Sequence, residues 1–136
     1  MIEYITQLRP RYGEVDQMGF VYHANYVSYF DVARTEMIRS LGITNRKMEE
    51  DGIMLPVLSV NISYKSPGHY DELLTIKVKL KEKPRVTIVF DYEVFNENME
   101  LITTAQVTLA FMNSETKRAI RPPRELLTLI DTKWQE

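Results

Sequence analysis

The spacing of apolar residues changes once along the chain, from a helical period to an alternating one. Over Tyr26–Leu41 the apolar residues recur every three or four positions, which predicts an amphipathic helix that ends at Gly42. From Leu55 onward apolar and polar residues alternate, most regularly over Leu74–Leu80, and this pattern predicts β-strands separated by short turns. A looser alternation over Ile2–Arg11 predicts one further strand before the helix.

The predicted order is therefore one strand, a long helix and then four strands joined by short turns. Short turns favour antiparallel neighbours, and one helix with an apolar stripe can cover one face of such a sheet. The sequence predicts an α+β fold with a single domain over residues 1–136, in which a five-stranded antiparallel sheet wraps around one long central helix. The last strand is predicted over Leu101–Met112, and short helices are predicted at Thr44–Glu50 and from Pro122 onward.

Composition and charge exclude several classes of function. Seventeen basic and nineteen acidic residues are interleaved along the chain, so no broad positive surface for nucleic acid is expected. The chain has no cysteine and only two histidines, which leaves no thiolate or histidine-built metal site and favours a cytoplasmic location. No apolar run approaches the roughly 20 residues of a membrane span, and the N-terminus lacks a signal-peptide pattern. We expect a soluble protein without metal or cofactor.

Candidate chemistry lies in the loop that enters the helix. Asp16 is followed by Gly19, which permits a sharp turn. The helix start should present unpaired backbone N–H groups between His23 and Tyr26, at the positive end of the helix dipole. Such donors suit a carbonyl oxygen that gains negative charge during attack, and Asp16 could act as nucleophile or general base. Spacing alone also fits an aspartate that merely stabilises a turn.

The same segment carries a family resemblance. The string Asp16-x-x-Gly19-x-Val21-Tyr22-His23-x-Asn25-Tyr26 closely resembles the 4-hydroxybenzoyl-CoA thioesterase branch of the hotdog superfamily, especially the acyl-CoA thioesterases associated with the bacterial Tol–Pal system. Similar segments follow at Tyr29-Phe30-Asp31-x-x-Arg34-x-Glu36 and Tyr64-Lys65-x-Pro67. The resemblance implies a hotdog fold that hydrolyses acyl-CoA to a carboxylic acid and free CoA. Asp16 is then the catalytic carboxylate, and the backbone N–H of His23 polarises the thioester carbonyl.

The resemblance also implies a homo-oligomer, either a dimer or a tetramer, with each site shared between two subunits. The partner's strand, around Val57–Lys65, is expected to line the site. No cofactor is implied, because coenzyme A is part of the substrate. The residues expected to contact the substrate are Gly19, Val21, Tyr22, Asn25, Tyr26, Val57, Leu58, Ser59, Val60, Ser63 and Lys65.

Several of these residues have simpler interpretations. Asn25 could cap the helix, and no chemical role is predicted for the His23 ring. The tyrosines of the helix are expected to be mainly core residues. A row of lysines at Lys77, Lys79 and Lys81 predicts the solvent-facing side of a sheet. A less favoured alternative assigns the CoA phosphates to basic side chains from a set comprising these lysines, Lys65, Arg85, Arg118 and Arg121.

Three other functions remain open at this point. A hydrolase of acyl carrier protein thioesters would need a basic rim around the site entrance. A non-catalytic module that binds acyl-CoA could dispense with Asp16, so the aspartate argues against it. A hotdog dehydratase usually depends on a catalytic histidine, and no histidine stands in such a motif here. Relatives read Asp-Thr-Asp where this chain has Glu14-Val15-Asp16, which leaves the substrate preference open.

Overall fold

The computed structural model describes all residues 1–136 and has seven strands and three α-helices. The strands are β1 (Ile2–Leu8), β2 (Ile53–Met54), β3 (Val57–Tyr64), β4 (Leu74–Leu80), β5 (Thr87–Phe95), β6 (Leu101–Ala110) and β7 (Met112–Asn113). The helices are α1 (Asn25–Leu41), α2 (Asn45–Glu50) and α3 (Arg124–Lys133), and a short 3-10 turn covers Tyr12–Glu14.

Five of the strands form one antiparallel sheet in the order β1-β4-β5-β6-β3. The helix α1 packs chiefly against β4 and β1. The predicted α+β class and five-stranded antiparallel sheet are therefore confirmed. None of the helices is both long and apolar enough to cross a bilayer.

The sequence pattern explains the position of α1. Its apolar stripe is buried along the whole helix, at Tyr26, Tyr29, Phe30, Ala33, Met37, Ile38 and Leu41. The helix ends where predicted, because Gly42 has a φ of 111°, a left-handed conformation that favours glycine. The next helix is also close to its prediction, and the Thr44 side chain caps it by accepting a hydrogen bond from the Lys47 N–H at 3.0 Å.

The last predicted strand differs in one respect. The sequence predicts one strand over Leu101–Met112, but β6 ends at Ala110 and the chain then pairs with a different partner. Met112 and Asn113 form a two-stranded ribbon with β2, which is only two residues long. A strand of that length carries too few residues to show an alternating pattern, so the sequence does not predict it.

Strand β3 lies at an edge of the sheet and has β6 as its only neighbour. Its apolar residues are therefore exposed despite their regular alternation, with 49% exposure at Val57, 59% at Leu58 and 41% at Val60. Register places Val60, Ile62 and Tyr64 opposite Val107, Ala105 and Thr103, and the ring of Tyr64 packs near Tyr26 of α1. Ser59, Asn61 and Ser63 consequently point to the other face of the sheet.

Candidate active site

Asp16 closes the loop that enters α1. Its Oδ1 accepts hydrogen bonds from the backbone N–H groups of Met18 at 2.9 Å and Phe20 at 3.2 Å. The backbone of Asp16 donates to the Phe20 carbonyl at 2.8 Å and accepts from the Gly19 N–H at 3.0 Å. Gly19 has a φ of 77°, so glycine is required for this turn. The aspartate is thus a turn residue through Oδ1, while Oδ2 is left without a hydrogen bond in the chain.

A second segment, from Gly68 to His69, holds this loop in place. The Val21 N–H donates to the Gly68 carbonyl at 2.8 Å, and Phe20 forms an antiparallel bridge with His69. A Cβ atom at position 68 would lie 2.9 Å from the Tyr26 hydroxyl oxygen and 3.2 Å from Cγ2 of Val21. Only a residue without a side chain therefore fits between the loop and the helix.

The helix start leaves two backbone donors free. Asn25 donates its N–H to the Tyr22 carbonyl at 2.9 Å, and Tyr26 donates to the His23 carbonyl at 3.4 Å. The N–H groups of His23 and Ala24 have no acceptor in the chain. The prediction of free donors from His23 to Tyr26 was therefore too broad, because the N–H groups of Asn25 and Tyr26 are hydrogen bonded within the first turn of the helix. Two N–H groups at the positive end of α1 remain to bind an oxyanion.

Glu14 holds the start of α1 in place through two hydrogen bonds. Its carbonyl accepts a hydrogen bond from the Asn25 side-chain amide at 2.8 Å, and its carboxylate accepts one from the Tyr29 hydroxyl at 3.0 Å. Burial and the hydrogen bond to Glu14 raise the pKa of Tyr29, so this phenol keeps its proton at neutral pH. The Asn25 side chain does not cap the helix, and its amide is used within the chain.

A cleft of about 330 Å³ opens in front of these groups. Five of the predicted site residues line it, namely Asp16, Val21, His23, Tyr26 and Lys65. Four further lining residues, Phe20, Tyr64, Ser66 and Pro67, were not predicted as site residues. The signal for two of them was present, since Tyr64 and Pro67 belong to a segment that carries the family resemblance. Tyr64 stands between two other rings, with its centroid 5.6 Å from Tyr26 and 6.4 Å from His23.

The remaining predicted contacts lie outside the cleft. Gly19 is in the turn behind Asp16, Tyr22 is exposed and packs against the ring of His23, and Asn25 bonds to Glu14. Lys65 lies in the cleft of its own chain, whereas the resemblance implied a contribution from the partner's strand.

The rest of the predicted β3 residues do not reach the cleft of the same chain. Val57, Leu58 and Val60 lie toward the far end of the strand, where Val57 is about 23 Å from Tyr64 at 3.3 Å per residue. Ser59 and Ser63 point to the opposite face of the sheet. They alternate with Val60 and Tyr64, and the expectation that they line the site of a partner subunit stays a prediction.

A basic groove of about 610 Å³ lies at the opposite end of the sheet. Three exposed arginines line it: Arg85 before β5, Arg121 before α3 and Arg124 at its start. None of the three forms a salt bridge within the chain. Elsewhere the side chains form no group of three or more His, Cys, Asp or Glu residues that could hold a metal ion.

A family model described as the thioesterase superfamily matches residues 18–103. The chain belongs to this superfamily. A solved DHNA-CoA thioesterase from Staphylococcus aureus is 40% identical, with a TM-score of 0.86 over 89% of this chain and 81% of that one. A 4-hydroxybenzoyl-CoA thioesterase in complex with 4-hydroxybenzoyl-CoA is 26% identical, with a TM-score of 0.83 over 93% and 97%.

Curated relatives agree with the solved structures. The acyl-CoA thioester hydrolase YbgC of Escherichia coli is 28% identical over 100 residues, which are 74% of this chain and 75% of that protein. The predicted thioesterase family and hotdog fold are therefore confirmed. The matched region includes β3 to β5 and most of the loop that follows Asp16.

Gly68 allows a test of how this thioesterase holds its loop. We expect Gly68→Ala to reduce thioester hydrolysis about tenfold or more, because the new methyl group displaces Tyr26 and the loop at Val21. The same glycine substitution should reduce hydrolysis by a smaller factor in a Tyr26→Phe chain, because the hydroxyl in closest contact is gone. That factor is the ratio of the Tyr26→Phe rate to the Gly68→Ala/Tyr26→Phe rate. Hydrolysis rates and thermal melting of all four proteins measure both effects. A fully active Gly68→Ala chain would contradict the close packing.

Proposed function

We propose that the protein hydrolyses acyl-CoA thioesters, with Asp16 as the catalytic carboxylate and the free N–H group of His23 as the oxyanion donor. The observation that carries the proposal is that Asp16 and His23, whose N–H has no acceptor in the chain, line one cleft. In the general-base form, Asp16 takes a proton from water, the resulting hydroxide attacks the carbonyl carbon, and the thiolate of CoA leaves as the C–S bond breaks. The proposed chemistry uses no metal.

A nucleophilic route is also open to Asp16. Oδ2 would then attack the carbonyl carbon and expel the CoA thiolate, and water would hydrolyse the resulting acyl anhydride. Both routes use the oxygen that the turn leaves free, since Oδ1 is held by Met18 and Phe20. In a single turnover in ¹⁸O-labelled water, label in Asp16 itself would establish the nucleophilic route, because only attack of water on the aspartyl carbon of the anhydride puts it there.

The central test is Asp16→Asn. The amide oxygen can still accept the two turn hydrogen bonds, so we expect normal folding, whereas kcat should fall by roughly two to four powers of ten. The assay uses acyl-CoA hydrolysis with EDTA in the buffer, and circular dichroism checks the fold. Asp16→Ala should show a similar kcat with a lower melting temperature, because it loses the turn bonds as well. Near wild-type turnover by the Asn variant would disprove the assignment.

We also propose an aromatic acyl group as the preferred substrate. The cleft is bordered by the rings of Phe20, His23, Tyr26 and Tyr64, and stacked or edge-to-face rings stabilise an aromatic guest by about 0.5–1.5 kcal/mol per pair. The relatives named for DHNA-CoA and 4-hydroxybenzoyl-CoA add support.

A substrate panel tests this preference. We expect kcat/KM for benzoyl-CoA and 4-hydroxybenzoyl-CoA to exceed that for hexanoyl-CoA and palmitoyl-CoA by about tenfold, the ratio that one or two ring contacts give. Comparison of benzoyl-CoA with hexanoyl-CoA controls for acyl size, because the two differ mainly in ring character. A higher kcat/KM for the aliphatic members would reverse the preference and leave the role of Asp16 intact.

The edge strand β3 supports a homo-oligomer, and we propose that two chains pair through it. An exposed strand with a free row of backbone hydrogen-bonding groups and apolar side chains needs a cover. Antiparallel pairing of two β3 strands around a twofold axis would bring Val57 of the partner subunit toward Tyr64, so that the partner's strand reaches the cleft as expected from the resemblance. The location of the protein in the cytoplasm stays a prediction.

The same pairing suggests where the CoA phosphates bind. It would place the partner's basic groove at the same end of the joined sheet as the cleft. Groove and cleft would then be about 14 Å apart, which is the width of three strand spacings. The extended pantetheine arm of CoA can cover that span. Arginines bind phosphate well, and Arg85, Arg121 and Arg124 have no carboxylate partner in the chain. We therefore propose that one chain supplies Asp16 and the other holds the phosphates.

Mixed oligomers test whether Asp16 and the phosphate-binding arginines of one site come from different chains. We expect Arg85→Ala/Arg121→Ala to raise KM for acyl-CoA about tenfold or more with little change in kcat, because phosphate contacts are lost. When this chain is mixed with Asp16→Asn, each mixed dimer contains one fully intact site. At substrate concentrations below the wild-type KM, the mixture should recover up to about half of the wild-type activity per mixed dimer. The reason is that the activities of separate, uncoupled sites add.

Native mass spectrometry must first show that subunits have exchanged, with a wild-type mixture carrying the same tags as the control. The same spectra at micromolar concentration should show a dimer or tetramer. A fully exchanged mixture without recovery would mean that groove and cleft do not cooperate across chains. A monomer that retains hydrolysis would contradict the pairing through β3.

A further inference from the structure

The two free donors at the start of α1 are braced in different ways. The N–H of His23 belongs to the peptide whose carbonyl, on Tyr22, accepts the Asn25 N–H at 2.9 Å. The N–H of Ala24 belongs to the peptide whose carbonyl, on His23, accepts the Tyr64 hydroxyl at 3.0 Å. The Tyr22 carbonyl is held from within the helix start alone, whereas the His23 carbonyl is held by the Tyr26 N–H at 3.4 Å and also by Tyr64 at the end of strand β3.

A hydrogen bond to a peptide carbonyl acts on the N–H of the same peptide. The group is planar, so its C=O and N–H point in opposite directions and an anchor on one fixes the direction of the other. Hydrogen bonds in a chain also polarise one another, which strengthens the next donor by perhaps 10–30%. The phenol of Tyr64 therefore acts on the Ala24 N–H, which has no acceptor in the chain.

The Tyr64 ring is held in position without its hydroxyl group. It lies between the rings of Tyr26 and His23, and it lines the cleft together with Asp16. Burial raises the pKa of Tyr64, so the phenol stays protonated and able to donate at neutral pH. Removal of the hydroxyl alone should therefore leave the ring and the cleft walls in place.

From these contacts we infer that Tyr64 is a positioning residue, which orients and polarises the Ala24 N–H as a second donor to the thioester carbonyl oxygen. The inference rests on the proposed acyl-CoA hydrolysis and extends it from one assigned donor to two. It also makes the edge strand β3 part of the oxyanion site of its own chain. The contribution is larger in the transition state than in the ground state, because the negative charge on the oxygen grows as the carbonyl is attacked.

Kinetics of Tyr64→Phe give the first test, with benzoyl-CoA and palmitoyl-CoA as substrates. We expect kcat to fall about five- to tenfold on both, with KM nearly unchanged, because a transition-state interaction is weakened without loss of binding surface. The control is Tyr70→Phe, an exposed tyrosine beside the same loop whose hydroxyl makes no hydrogen bond, which should keep its full kcat. A Tyr64→Phe chain with unchanged kcat, or with its loss confined to KM, would overturn the inference.

The carbonyl group of a bound substrate gives a second, independent test. In the Asp16→Asn chain, ¹³C-carbonyl benzoyl-CoA should bind with its C=O stretching frequency below that of the free thioester, because the oxyanion donors polarise it. Asp16→Asn/Tyr64→Phe should lose part of that shift at equal occupancy, whereas a purely structural tyrosine would change occupancy alone. Equal shifts in the two chains would overturn the inference.

The two tests separate this inference from the proposed function. Full turnover by the Asp16→Asn chain would disprove the catalytic assignment whatever Tyr64 does. A wild-type chain that hydrolyses acyl-CoA through Asp16 while Tyr64→Phe matches it in kcat and in carbonyl frequency would leave the function standing and remove Tyr64 from it.

Discussion

Burial of the apolar stripe of α1 is the interaction on which the rest of this structure depends. Seven side chains of the helix are buried, and the six larger than alanine contribute about 1.5–3 kcal/mol each when fully removed from water, on the order of 9–18 kcal/mol together. A single turn hydrogen bond in the preceding loop contributes about 1 kcal/mol. The helix therefore determines where the loop lies, and the position of its first turn determines where the free N–H group of His23 lies relative to the cleft.

The Asp16 side chain combines an observed structural role with the chemical role proposed for it. One carboxylate oxygen holds the loop through Met18 and Phe20, and the other makes no hydrogen bond within the chain. In the proposed mechanism the carboxylate is thereby held relative to the helix start before substrate binds, and such preorganisation lowers the entropy that must be lost in the reaction. The close contact at Gly68 also contributes to this preorganisation, since it keeps Val21 and Tyr26 against one another.

Strand β3 combines two properties that rarely occur together in a monomer. It is an edge strand with exposed apolar side chains, and its last residue hydrogen bonds to the helix start. Any contact that covers the edge therefore acts close to the oxyanion donors. In the proposed oligomer, pairing would hold this strand more firmly, because a strand with one neighbour is held less firmly than one with two.

The sequence by itself determined the parts of this protein that depend on local pattern. The period of the apolar residues identified α1, Gly42 identified its end, and alternation identified the strands of the α+β sheet. The string from Asp16 to Tyr26 identified the family and indicated Asp16 as the candidate catalytic carboxylate. These features are local because a helix face or a turn is specified by residues within a few positions of one another.

Only the tertiary structure decided which groups in that string are free to act. Periodicity does not show that the first turn of α1 consumes the N–H groups of Asn25 and Tyr26, nor that Glu14 takes up the Asn25 amide. It does not give strand order, so it does not show that β3 lies at an edge of the sheet or that Tyr64 reaches the His23 carbonyl. It also does not show which face of β3 is turned away from the helix, where Ser59 and Ser63 lie. Each of these outcomes depends on partners far apart in the chain, and such pairings are settled by packing of the whole fold.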